Sequence, residues 1–200
     1  MLYARTPDNE PIEPAPGLRA LCPDCHEPVL AKCGAINVWH WAHERGDDCD
    51  TWSEAESKWH RAWKAHWPMR LVEVSMQRDG VRHRADIVGR AGVVLELQHS
   101  SITPVEIAAR EAFYGRMVWV FDARDVWDGD RFLPRNRGSH ITFRWKQPRK
   151  HIAACKQMVV LDFGFDRLFH LKQLYIGPPT GGWGYSLDRN DFIRRLGGQV

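Results

Sequence analysis

The chain has 200 residues and 23.2 kDa, 44% hydrophobic and 11% aromatic, with 28 basic against 25 acidic side chains for a formal charge of +3. A chain of this size buries about 70% of its unfolded surface, so the composition excludes bulk disorder and predicts one large domain, with or without a small appendage. No apolar run approaches the ~20 residues of a spanning helix and the first 17 residues hold no apolar signal region, while five irregularly spaced cysteines suit free thiols or a metal better than a disulfide framework; the expectation is a cytoplasmic protein.

Residues 1–17 contain Pro7, Pro11, Pro14 and Pro16 and read as an extended leader or edge strand. Residues 18–50 then hold four of the five cysteines with little room for a core, and short segments of that kind need a staple. Cys22-Pro23-Asp24-Cys25 sets two thiolates on a tight knuckle, and His40-Trp41-Ala42-His43 and Cys49 complete a closed set for zinc. Cys22, Cys25, His43 and Cys49 are the preferred ligands, with His40 the competing fourth and His26 and Cys33 weaker alternatives. A closed tetrahedral set is structural, since no position is left for substrate.

Ser53 to Trp67 predicts a helix, capped by Ser53 with Glu56 and closed by Pro68, with Trp59, Trp63 and Trp67 as the inward stripe. Beside the stripe Glu56, His60 and Lys64 form a polar row, which a solvated or ion-paired helix face would also explain. Three strands follow, near 70–77, 82–88 and 93–98, separated by Asp79-Gly80 and by Gly89–Gly92, as an antiparallel meander. With a three-residue loop at Arg90–Gly92, Asp86 falls opposite Glu96. Two acids held side by side suit a hard cation such as Mg²⁺, unless each pairs with a neighbour such as Arg84 or Arg110. Thr103, Pro104 and Glu106 cap a second helix to about Tyr114, and Met117–Asp122 is a short buried strand. The order helix, three strands, helix, strand predicts a mixed α/β sheet protein. Beyond it the reading is a strand near 140–145, a helix near 148–156, a hairpin in 158–173 broken at Gly164, and a glycine-rich loop over Gly177–Gly184.

Basic charge gathers at the C-terminal end: residues 131–200 hold 13 basic and 4 acidic side chains, against 5 and 11 in residues 1–60. Arg131, Arg135, Arg137, Arg144, Lys146, Arg149 and Lys150 fall in an acid-free stretch, interleaved with Phe132, Phe143 and Trp145. That pattern fits a phosphate-binding stripe, or a solvated basic face.

The run CPxC, HWAH, Asp48-Cys49-Asp50, Glu56-Ser57-x-x-His60-x-x-x-Lys64, Ala85-Asp86-Ile87-Val88, Leu95-Glu96-Leu97-Gln98-x-Ser100, Arg110, Tyr114 and Val118-Trp119-Val120 resembles the competence protein CoiA family over most of residues 18–122. The resemblance implies a zinc-finger-like segment (1–52) and a PD-(D/E)XK, restriction-endonuclease-like αβββαβ core (53–125), and it says little about the basic extension (126–200) that follows. It makes Asp86 and Glu96 the carboxylates for Mg²⁺ or Mn²⁺, puts Gln98 where the motif lysine stands, and has Glu56, His60 and Lys64 assist. The implied activity is a metal-dependent nuclease acting on DNA in uptake, recombination or defence, with proteins of those processes as partners. The alternative is a non-catalytic DNA-binding accessory that keeps the fold, because an amide at position 98 carries no charge toward the developing phosphorane.

Overall fold

A computed structural model describes residues 1–36, 38–45, 49–52 and 56–200. The protein is a mixed α/β chain, rich in sheet and sparing in helix, and it divides into two compact units, Met1–Val88 and Gly89–Val200.

The first unit opens with five short strands: β1 (Ala4–Arg5), β2 (Pro11–Ile12), β3 (Arg19–Leu21), β4 (Pro28–Lys32) and β5 (His40–His43), paired in the order β2-β1-β3-β4-β5. Alternation points Ala20, Val29 and Trp41 inward, where they pack with Ala4 and Cys22 into a small core. Helix α1 (Lys58–Lys64) is shorter than the predicted one. Ser53 lies outside the described residues, and the N-cap is Ser57: its hydroxyl accepts from the His60 N–H (3.2 Å), and His60 Nδ1 accepts from the Ser57 N–H (3.2 Å). The capping box is therefore built by serine and histidine, four residues further on than the serine–glutamate pair the sequence suggests. The tryptophan stripe is as expected, with Trp59, Trp63 and Trp67 all buried.

A 3-10 turn (Met69–Leu71) leads into β6 (Val72–Arg78), which forms an antiparallel hairpin with β7 (Val81–Val88). Asp79 and Gly80 both take positive φ (49° and 77°), the geometry a two-residue turn needs to follow the twist of its strands.

In the second unit a 3-10 turn (Arg90–Gly92) precedes β8 (Val94–Gln98). Helix α2 (Pro104–Tyr114) starts on the predicted Thr103–Glu106 capping box and crosses to β9 (Met117–Asp122), parallel to β8. The chain continues through α3 (Arg124–Asp128), β10 (Phe132–Asn136), β11 (Ile141–Trp145), β12 (Met158–Asp162), β13 (Arg167–Tyr175), β14 (Gly181–Asp188) and α4 (Arg189–Arg195). Strands of this unit lie in the order β10-β11-β14-β13-β12-β9-β8. β12 runs parallel to β9, and the other new pairings are antiparallel.

Two expectations fail here. The segment expected as a helix near 148–156 is a single 3-10 stretch, Lys150–Ala154, because Pro148 precedes it and no residue caps it. The expected glycine loop is loop only over residues 177–180; its second half, Gly181–Gly184, is the start of strand β14. A Cβ on Gly181, Gly182 or Gly184 would overlap the carbonyl oxygens of Phe143, Gln173 and His170 respectively, so these glycines mark close strand approach. The room left beside Gly182 and Gly184 is filled by the Phe143 and Phe169 rings, which join Phe132 in a cluster with centroids 4.6–5.5 Å apart. Among the described residues no helix is long and apolar enough to cross a membrane.

Candidate metal centre and acid clusters

The β3–β4 hairpin carries the Cys22–Cys25 knuckle, closed by a bond from the Cys22 N–H to Glu27 O (2.9 Å) and one from the His26 N–H to Cys22 O (3.0 Å). β5 brings His43 to it from the neighbouring strand, and Cys49 arrives from the following turn. The ligating atoms of Cys22, Cys25, His43 and Cys49 all lie within 4.8 Å of one another. Cys22 Sγ and Cys49 Sγ are 3.6 Å apart, and Cys25 Sγ and His43 Nε2 are 3.2 Å apart. Ligands on a tetrahedral ion with metal–sulfur bonds of about 2.3 Å stand about 3.7 Å from each other. Three thiols and an imidazole at this spacing therefore fit a metal ion such as zinc. Burial pushes the Cys22 and Cys49 thiols up, so a cation is what would bring them to the thiolate form. The Asp24 N–H already points at Cys22 Sγ (3.4 Å).

His40 does not join the cluster. An odd separation along a strand sends His40 and His43 to opposite faces, and His40 Nδ1 bonds to Val38 O at 2.8 Å. His26 and Cys33 stand outside the cluster as well. The fifth cysteine, Cys155, sits in the second unit, where burial and then Glu111 raise its thiol to about 12.

A polar layer that sequence reasoning did not identify supports the thiol cluster. Asp50, the residue after Cys49, is buried, accepts from His83 Nδ1 (2.9 Å) and takes the Arg84 N–H (2.8 Å). Arg84 reaches Asp24 inside the knuckle at 3.1 Å, and Ser75 and Arg82 also bond Asp24. The only sequence signal was position, an acid beside each ligand pair.

Lys64 is the centre of the second cluster. Its ammonium lies 2.9 Å from Glu56 Oε2, 3.1 Å from Glu73 Oε1 and 3.1 Å from Asp86 Oδ1. Helix α1 places Lys64, and the β6–β7 register, with Val72 opposite Ile87 and Val74 opposite Ala85, brings Glu73 beside Asp86. Burial works against the charge on Lys64, but Glu73, Asp86 and Glu56 outweigh it and hold the ammonium protonated far above the ordinary lysine range. Burial likewise works to raise Glu73, yet Lys64, with further help from Arg84 and the Leu2 N–H, holds it down at about 2. Glu73 takes a positive φ of 51° to make these contacts, a conformation that costs a non-glycine residue ~1 kcal/mol or more. Of the three carboxylates, Glu56 and Glu73 are 5% and 8% exposed, and Asp86 is the open one at 23%.

The predicted polar row thus splits. Glu56 and Lys64 come together with Asp86, whereas the His60 ring reaches back to Ser57, 2.8 Å from its hydroxyl. Glu73, which sequence reasoning missed, sits in the middle of a strand pattern where an acid gives no hint of its backbone geometry.

Asp86 belongs to the first unit and Glu96 to the second. Glu96 is buried on β8 and bound by Arg110 from α2 (2.9 Å), the pairing weighed in the sequence as the alternative to a metal. Gln98, on the same face two residues on, lies 3.5 Å from Arg110 through Oε1 and donates from Nε2 to Ser100 O (3.1 Å). Nearby, Asp122 accepts from His99 Nδ1 (2.8 Å) and from Arg124, which together outweigh its burial and hold it below the usual carboxylate range.

The basic stripe divides by partner rather than by strand position. Arg135, Arg137, Arg144, Lys146 and Lys150 are exposed. Arg131 and Arg149 instead share Asp125, at 2.7 and 2.6 Å. The interleaved Phe132, Phe143 and Trp145 are not partners of the stripe but core, 4%, 5% and 2% exposed.

Residues 19–51 match the family described as competence protein CoiA, N-terminal domain. No curated protein and no solved structure matches the chain. The CoiA family read from the sequence is thereby supported through its N-terminal domain, in the segment that holds Cys22, Cys25, His43 and Cys49.

Proposed function

We propose that the protein is a metal-dependent nuclease cleaving phosphodiester bonds of DNA, with a structural zinc in the first unit and a restriction-endonuclease-like core running from α1 through β6, β7, β8 and α2 to β9. The observation that carries the reading is the cluster around Lys64: three carboxylates face one ammonium, and the most open of them is the motif acid Asp86. Asp86, the most open carboxylate of this cluster, is where a divalent cation would bind. Glu96 is the second carboxylate of the motif. Mg²⁺ or Mn²⁺, when bound, polarises the phosphodiester and lowers the pKa of an attacking water. Lys64 stays charged and keeps Asp86 in place, while Gln98, at the position of the motif lysine, orients water through its amide. The exposed arginines of the second unit hold the phosphate backbone. Action on DNA in uptake, recombination or defence follows from the family resemblance, and a cytoplasmic location from the cysteine usage, which suits a reducing compartment.

A second reading, a DNA-binding accessory without chemistry, is favoured by one contact: Arg110 already occupies Glu96 at 2.9 Å. Incubation with plasmid, linear and single-stranded DNA, with and without Mg²⁺ or Mn²⁺, separates the two. The nuclease reading expects metal-dependent cleavage that Asp86→Asn and Glu96→Gln each abolish. DNA binding with no cleavage of any form, unchanged by Asp86→Asn, establishes the accessory instead.

A further inference from the structure

The glycines of β14 identify which side of the C-terminal sheet is core. Gly182 and Gly184 face Phe143, Phe169 and their neighbours, so Trp183 and Tyr185 must point the other way. On that other side strand register aligns two rungs: Leu133, Arg144, Gly181 and Tyr175 in one, and Arg135, Thr142, Trp183 and Gln173 in the next. Tyr185 opposite His170 follows. Tyr175 and Tyr185 are 57% and 40% exposed. The rings touch edge to face along the strand: His140 to Trp183 at 5.8 Å, and Trp183 to Tyr185 at 5.6 Å. Arg135 and Arg144 are exposed in the same rungs, and Arg137 is fixed beside them through Thr142 (3.2 Å). None of β10, β11, β13 and the stretch of β14 up to Leu187 contains an acid.

A row of aromatic rings running from half-buried His140 and Trp183 to exposed Tyr185, flanked by arginines and with no carboxylate on these strands, has the two properties that unpaired nucleotides recognise. Rings offer stacking surface to a base, and guanidinium groups meet the phosphates between bases. Duplex DNA satisfies only the second, because its bases are stacked inside the helix. We propose that this face of β10, β11, β14 and β13 binds single-stranded DNA, with Trp183 and Tyr185 as the stacking platform and Arg135, Arg137 and Arg144 on the backbone. The proposal takes from the preceding reading only that the polymer is DNA; it requires no cleavage.

The test is binding of the zinc-loaded 200-residue chain to a labelled oligothymidine strand, followed by fluorescence anisotropy with no added Mg²⁺ or Mn²⁺ so that hydrolysis does not intervene. The expected result is tighter binding to this strand than to a duplex of equal length. Trp183→Ala and Tyr185→Ala each weaken the single strand about tenfold and leave the duplex unchanged, and Trp183→Phe restores most of the affinity. Both side chains lie on the solvent side of the sheet, so unchanged thermal midpoints accompany these losses. Arg135→Ala and Arg144→Ala each reduce the slope of log affinity against log salt by about 0.7. Equal affinity for duplex and single strand, indifference to both aromatic substitutions, or binding of a uridine RNA strand in preference to the DNA overturns the proposal. Failure of the nuclease reading is seen separately, as absence of cleavage in protein that still binds single strands through Trp183.

Discussion

Around Cys22 the buried apolar core consists of Ala4, Ala20, Val29 and Trp41, on strands of two to five residues. In the second unit Phe132, Phe143 and Phe169 stack beside the glycine positions of an eight-residue strand. The first arrangement has a small apolar core, and beside it a set of soft ligands converges on one point, the kind of staple small segments need. The second meets the same need by dense aromatic packing. We infer two means of holding strands together in one protein, a metal bound by the Cys/His cluster and close packing, and each would fail in a different way: loss of the ion would undo the first, and a single misplaced methyl group would disturb the second.

The largest expected effect is on the ion-held side. Elemental analysis should find one zinc per chain in protein purified without chelator, and none in Cys22→Ser. Structural zinc contributes ~10 kcal/mol or more to the folding of small zinc modules, so residues 19–51 should lose their structure in that variant. Wild-type protein free of zinc would contradict the account.

Acid gives an intermediate effect on the same unit. The Glu73 carboxyl is depressed from an ordinary 4.5 to about 2. A depressed acid contributes stability that is fully present above its unfolded pKa and disappears as pH falls through the folded one, here between about 4.5 and 2. The contribution is ~3 kcal/mol. Urea unfolding at pH 7 and pH 3, part of the way through that window, should show a fall of about 2 kcal/mol from this group that is missing in Glu73→Gln. An equal fall in both proteins would mean that Lys64 is not what holds Glu73.

The smallest effect belongs to the packed side. Gly182→Ala forces a Cβ against the Gln173 carbonyl and the Phe143 ring, which costs ~1–3 kcal/mol as overpacking does. The thermal midpoint should drop while zinc content stays at one per chain. An unchanged midpoint would place Gly182 outside the close approach of β13 and β14.

Local rules made much of this legible. Thr103 and Glu106 capped a helix where expected, the tryptophan row faced inward, Met117–Asp122 formed its strand, and CPxC with HWAH and Cys49 located the thiol cluster. Each is a short-range signal, a cap, a period or a ligand spacing. What stayed hidden depends on distant partners. Gly181, Gly182 and Gly184 resemble a loop until β11 and β13 are laid beside them. Glu73 looks like a solvent-facing strand residue until Lys64 is placed above it, and Arg131 and Arg149 look free until Asp125 is found between them. Trp183 and Tyr185 pass unnoticed because a chain shows alternation but not which face is covered.

We infer that an ion holds residues 19–51 while packing holds the second unit. Hydrogen exchange measured peptide by peptide, before and after removal of the metal by a chelator, tests it most directly. The account predicts that amides of β3, β4 and β5 exchange freely once the metal is gone while those of β9, β12 and β13 keep their protection. Unchanged protection in β3–β5, or loss of protection in both units together, would contradict it.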